Sequence, residues 1–281
     1  MVVAVWIVTL VLLLVLSVAV VMARAFTRFR RRPANGPASR GSGAQPGRSR
    51  IVCFGASTVH GNVSYNIVDE LARRLPDHDL INAGVNGNTS QQALGRLPAV
   101  LACKPDAVVV AIGANDVLVL RGSPLGSPVP RDFKDRLTWD GYATNLTAIV
   151  DGLRSSGARV ALMSIQPIGE QLDSPLNKDV DRANELVRRT ATVEKVTYLP
   201  LNERLAEEIR RHGTGRPAGE GVATALKAIV LHLGLGIGLD RIGRRNGYLV
   251  HTDGLHLNSR GGLIAADLIE NFIRQDAVRP S

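Results

Sequence analysis

Short apolar runs alternate with helix-length stretches through most of this chain, and that alternation limits the fold more than any other feature of its 281 residues. The runs are IVCF at 51–54, DLINA at 79–83, AVVVAI at 107–112, ARVALMSI at 158–165 and VTYLPL at 196–201. Helix-like stretches between them cover 63–75, 89–102, 139–155 and 177–193. In NIVDELARRL, Ile67, Leu71 and Leu75 recur at the four-residue spacing of one helix face. The strands are continuously apolar, so both of their faces are expected to be covered, as in a parallel sheet. The expected class is α/β, a three-layer domain with helices on both sides of the sheet. In open sheets of this kind ligands sit at the carboxyl ends of the strands, so the polar residues there carry the question of function.

Residues 1–23 contain no charged side chain. As a helix they rise about 34 Å, enough to cross a hydrocarbon core, and one N-terminal transmembrane helix is expected there. A cleaved signal peptide is the alternative, because Ala23-Arg24-Ala25 has the small-x-small form of a cleavage site. Against cleavage, the run is longer than the usual apolar region of about 7–15 residues, and no Lys or Arg precedes it. Residues 24–50 hold eight arginines and no acid, and subtracting these from the formal +9 leaves about +1 for the rest. The basicity belongs to one short segment, so the folded domain has no broad nucleic-acid-binding face. Residues 24–49 read as a basic Pro/Gly/Ser-rich linker leading to a domain over 50–281. Arg24, Arg28, Arg30, Arg31 and Arg32 follow the span, which by the positive-inside tendency puts that domain in the cytoplasm. The exported side, or secretion after cleavage near Ala25, is the alternative. Two cysteines, Cys53 and Cys103, supply neither a disulfide framework nor a structural zinc site, and both read as small buried apolar residues.

Four strand ends have unusual polar content. In FGASTVHG, Gly55 allows a sharp turn and Ser57 falls where a helix starts; it could be a helix cap or a nucleophile, and the local sequence fits both. NAGVNGNTS, Asn82 to Ser90, has the composition of a turn, and could also aim the Gly87 backbone N–H at a ligand. AIGAND, Ala111 to Asp116, could hold the Asn115 amide over a reacting carbonyl. In VHTDGLHLNSRGG, Asp253 and His256 are three residues apart, so both side chains can project the same way from one turn. The closing stretch RGGLIAADLIENFI reads as a helix with Leu263, Ala266, Ile269 and Ile273 on one side.

Taken in order, these blocks resemble the SGNH hydrolases, also called the GDSL-type lipase and esterase family, over most of residues 50–275. The resemblance matches Gly55-Ala56-Ser57 to the nucleophile turn. It matches Asn82, Gly84, Gly87 and Thr89 to the block Asn-x-Gly-x-x-Gly-x-Thr. Gly113, Asn115 and Asp116 match Gly-x-Asn-Asp, and Asp253 and His256 match Asp-x-x-His. Ala56 and Thr58 depart from the family's Asp and Leu in the first block, which bears on the shape of the serine turn more than on the triad. The resemblance implies a flavodoxin-like, mostly parallel sheet, no metal and no cofactor. It implies a catalytic triad of Ser57, Asp253 and His256. It also implies an oxyanion hole made by Ser57, Gly87 and Asn115.

The expected chemistry is cleavage of a carboxylic ester or thioester through an acyl-enzyme, on a small-molecule or lipid acyl substrate. An acyltransferase with the same triad and a catalytically silent domain on a membrane tether are the alternatives. His60 stands near the serine and could line the pocket, whereas His251 reads as structural. Residues 203–250 are longer than a connecting loop requires, and GVATALKAIVLHLGLGIGLD within them is notably apolar. Lys227, His232 and the glycines argue against a second span. A helix packed on the core, a lid, an acyl-chain wall or a membrane-facing surface are the open readings. Oligomeric state is not readable from the sequence.

Overall fold

A strand apolar on both faces can be covered only by packing on both sides, and each of the five largely apolar runs becomes a strand of one sheet with helices on its two faces. The computed structural model describes residues 2–40, 47–123, 137–213 and 221–275. The strands are β1 (Ser49–Gly55), β2 (His78–Gly84), β3 (Ala107–Ala111), β4 (Arg159–Met163) and β5 (Thr197–Leu199). They form one parallel sheet in the order β2-β1-β3-β4-β5. The helices described are α1 (Val2–Arg30), α2 (Pro37–Arg40), α3 (Ser57–His60), α4 (Ile67–Arg74), α5 (Ser90–Leu94), α6 (Leu97–Leu101), α7 (Ala114–Leu120), α8 (Trp139–Ser155), α9 (Pro175–Val193), α10 (Leu201–His212), α11 (Val222–Ile229), α12 (Leu239–Arg245) and α13 (Ser259–Arg274). A π turn over Val230–Gly234 prolongs α11.

Alternate residues of each strand feed two cores. On one face Val52, Phe54, Val108, Val110 and Leu162 pack with α8 and α9 through Leu146, Ile149, Val180 and Val187. On the other, Ile51, Cys53, Val109 and Ala161 pack with α4, α10 and α13 through Leu71, Leu205, Ala266 and Ile269. Fully burying one such aliphatic side chain is worth about 1.5–3 kcal/mol, so these two layers hold the sheet. Ile67, Leu71 and Leu75 form the buried face expected of them. On α13 the buried face is Ala265, Ala266, Ile269, Phe272 and Ile273, while Leu263 is half-buried at its margin. Both cysteines are buried, and burial pushes the Cys53 thiol up to about 12.

Polar residues set the helix starts. The Thr138 hydroxyl accepts from Gly141 N–H to open α8, Ser174 accepts from Asn177 before α9, and Asn258 accepts from Gly261 before α13. The stretch read as one helix over 89–102 is two short ones, α5 and α6, divided at Gly95 and Arg96. Arg96 turns inward at that break.

The helix that begins in the apolar N-terminal run continues to Arg30 and ends against the domain. Asn62 Nδ2 donates to the Arg28 and Phe29 carbonyls, and Asn86 Nδ2 donates to the Phe29 carbonyl. These are orphan carbonyls of a helix C-terminus, satisfied here by domain side chains. Farther on, Asn35 lies along the edge of the sheet, its carbonyl accepting from Asn82 N–H at 3.0 Å. Arg50, last of the eight arginines, is buried and paired with Asp79 at 3.1 Å.

Candidate active site

The carboxyl edge of the sheet gathers all four polar blocks. Ser57 is the first residue of α3, and Ala56 holds the cap position without a side-chain cap bond. Ser57 therefore does not stand at the cap position that the sequence also allowed it, and no side chain caps this helix. α3 sits directly on the end of β2: a Cβ at Gly84 would strike the His60 backbone nitrogen, so this approach requires glycine. His60 is buried there with its carbonyl accepting from Asn82 Nδ2, and it does not line the cavity described below.

The turn after β2 places Gly87 at φ +76°, a left-handed conformation that favours glycine. Its neighbours are held from several sides. Asn86 Nδ2 donates to Asn62 Oδ1 at 2.8 Å, and Asn88 Oδ1 accepts from Arg96 Nε at 2.7 Å. Arg96 also donates to the Ala83 and Gly55 carbonyls, joining the ends of β1 and β2. Asn115, at the start of α7, donates from Nδ2 to the Asn88 carbonyl at 2.9 Å, which fixes its amide beside the Gly87 turn. The next residue, Asp116, is fully buried and accepts from the Ser90 N–H and, at 2.6 Å, the Ser90 hydroxyl. Burial pushes its carboxyl up to about 7, although the Ser90 donors oppose the shift.

The Asp253–His256 turn supplies a carboxylate–imidazole pair. Asp253 Oδ2 lies 2.8 Å from His256 Nδ1, while Oδ1 accepts the backbone N–H groups of Leu255 and His256. Burial pushes the Asp253 carboxyl up, but the facing imidazole and these N–H donors outweigh it and hold it below its ordinary value. With its Nδ1–H given to Asp253, the His256 ring presents Nε2 as the basic atom. A second pair braces this loop from behind. Glu170 accepts the backbone N–H groups of Leu249, Val250 and His251, and its Oε1 is 3.1 Å from His251 Nδ1. Both side chains are buried, so His251 is a structural partner of Glu170.

Ser57 and Asn115 line one cavity at this edge, together with Gly113, Gln166 and Leu255, around a space of about 20 Å³. That is room for about one water molecule beside the serine. His256 follows Leu255 of the lining, and Gly87 precedes the Asn88 whose carbonyl Asn115 holds. Gln166 Nε2 bridges Thr58 Oγ1 and the Leu255 carbonyl, both at 3.1 Å, and so ties the serine turn to the histidine loop. Gln166, Glu170 and Arg96 escaped sequence reasoning, because an isolated polar residue outside a motif reads as surface. Among the described residues, no three His, Cys, Asp or Glu side chains group closely enough to hold a metal ion.

Residues 53–262 match the GDSL-like lipase/acylhydrolase family. A GDSL esterase/lipase of Arabidopsis thaliana is 28% identical over 251 residues, spanning 84% of this chain and 83% of that protein. The esterase TesA of Pseudomonas aeruginosa is 34% identical over 121 residues, 43% of this chain and 52% of that protein. The solved structure of an acetyl xylan esterase, AlAXEase, aligns with a TM-score of 0.59 at 18% identity, covering 80% of this chain and 99% of that one. The last likeness is one of fold.

Proposed function

We propose, from the premise that this chain belongs to the GDSL-like lipase/acylhydrolase family, that Ser57 is the nucleophile of an ester-hydrolysing SGNH enzyme whose base is His256. The observation that carries the assignment is the buried Asp253–His256 pair, 2.8 Å apart, on a turn whose Leu255 lines the same cavity as Ser57 and Asn115. His256 Nε2 takes the Ser57 proton as Oγ attacks the carbonyl carbon of an ester or thioester. The tetrahedral oxyanion is held by the backbone N–H groups of Ser57 and Gly87 and by the Asn115 amide. His256 then gives its proton to the leaving oxygen or sulfur as that bond breaks. Water attacks the acyl-enzyme by the same route, and the acid leaves with Ser57 restored. Replacing Ser57→Ala is expected to cut kcat for a p-nitrophenyl ester by at least about 10³-fold with the folded spectrum unchanged. Wild-type turnover by that variant would remove Ser57 from the mechanism.

The N-terminal helix is an apolar span by length and composition, and in this reading it is retained as a single-pass anchor. Support comes from Val21 and Ala25, which pack against Gly234 and Leu233 of the domain, and the helix ends where Asn62 and Asn86 donate to the Arg28 and Phe29 carbonyls. Asn86 is next to Gly87, so the end of the helix is built into the site's own scaffold. The arginines following the span favour a cytoplasmic domain. Protease treatment of sealed, inside-out vesicles should then digest the domain, whereas protection would put it on the other side.

A further inference from the structure

The apolar segment 222–237 does not pack into either main core. Its π turn lies against α1 instead. Leu233 is buried with Ala25 and Val63 in a small separate cluster, flanked by Phe29 and Ile229. A Cβ on Gly234 would come within 2.7 Å of a Val21 methyl, so the two backbones approach as closely as a glycine permits. Arg28 Nη1 donates to the Leu233 carbonyl at 3.1 Å, satisfying an acceptor that the π turn leaves open.

That contact sets the depth of the turn. The charge-free run of α1 ends at Ala23, and Val21 stands three residues before Arg24, about 4.5 Å inside the first charge. Whatever packs on Val21 therefore lies at the boundary between acyl chains and headgroups. The outer face of the segment is apolar as well: Leu226 and Leu235 are 56% and 55% exposed. Among the described residues beyond α1, only Val193 matches them as a large apolar side chain facing outward. Two of the three thus occur on the segment that packs against the span through Gly234 and Val21. Lys227 and the arginines of α1 can reach the headgroups from there.

We propose that residues 222–237 form an in-plane membrane-contact element that inserts Leu226 and Leu235 into the bilayer boundary beside α1. This rests on the reading of α1 as an anchor. The occupant is the lipid interface, because the patch is continuous with a helix that is itself apolar on all sides through the span. The same end of α1 is bonded to Asn86 and Asn62, so the carboxyl edge of the sheet is held against the membrane surface.

The test uses the full-length protein in vesicles of phosphatidylcholine and phosphatidylglycerol. Single cysteines at Leu226→Cys, Leu235→Cys, Leu12→Cys and Val193→Cys receive an environment-sensitive fluorophore, the native cysteines being buried. Emission is then read with and without lipids carrying a nitroxide on the acyl chain. The expected result is blue-shifted emission quenched by the nitroxide at 12, 226 and 235, and solvent-like, unquenched emission at 193. Solvent-like emission at 226 and 235 with quenching at 12 overturns the proposal and leaves the anchor standing. A blue shift at 226 and 235 without lipid quenching also overturns it, in favour of contact with another protein chain. No quenching at 12 overturns the anchor reading itself, and this proposal with it.

Discussion

Burial pushes the Asp253 carboxyl up, and His256 with two backbone N–H groups outweighs that push and holds it below its ordinary value. An amide at this position could hold the ring only in the wrong tautomer. Asp253→Asn is therefore expected to lower kcat by roughly 10³–10⁴-fold with little change in KM, as steady-state kinetics will show. Asp116 sits at the opposite extreme, with its carboxyl pushed up to about 7 by complete burial. In the unfolded chain the same group titrates near about 3.9, so folding binds a proton between these two values. The stability it contributes is complete below about pH 4 and is lost as pH rises through about 7. Denaturation of wild type and Asp116→Asn across that window should show wild type losing ground to the variant as pH rises, with no further change above it. An unchanging difference would mean that Asp116 does not titrate there.

At the scale of elements, the loop that carries Asp253 and His256 is held by Glu170, which accepts three successive backbone N–H groups and faces His251. Glu170→Ala leaves those buried donors unpaired and should cost about 3–5 kcal/mol in urea denaturation. Glu170→Gln keeps an acceptor oxygen and should recover part of the loss. Glu170 also marks the limit of what the sequence disclosed. The strands were legible to within about two residues, since continuous apolar runs have one outcome in a parallel sheet. The helix α8 was legible to the residue at both ends, since Thr138 caps its start. The division of 89–102 was not, because it depends on Arg96 finding carbonyls at the ends of two other strands. The four polar blocks could be read because their residue types recur at fixed spacing. Gln166 and Glu170 have no such spacing; only the folded chain brings them to Thr58 and His251.

For the whole molecule, the N-terminal helix is long and apolar enough to cross a membrane, and the proposed reading retains it as an anchor that keeps the site close to the lipid. The full chain is expected to stay with membranes through alkaline carbonate extraction, and a chain starting at Phe26 to be released. Recovery of the full chain in the supernatant would contradict the anchor. The ester chemistry does not depend on that outcome, since every residue assigned to it lies beyond the span. Its most direct test is to label the protein with a fluorophosphonate and map the adduct by mass spectrometry. A single adduct on Ser57, absent from His256→Ala, is what the assigned triad requires. An adduct on another residue, or ester turnover with Ser57 unlabelled, would contradict it.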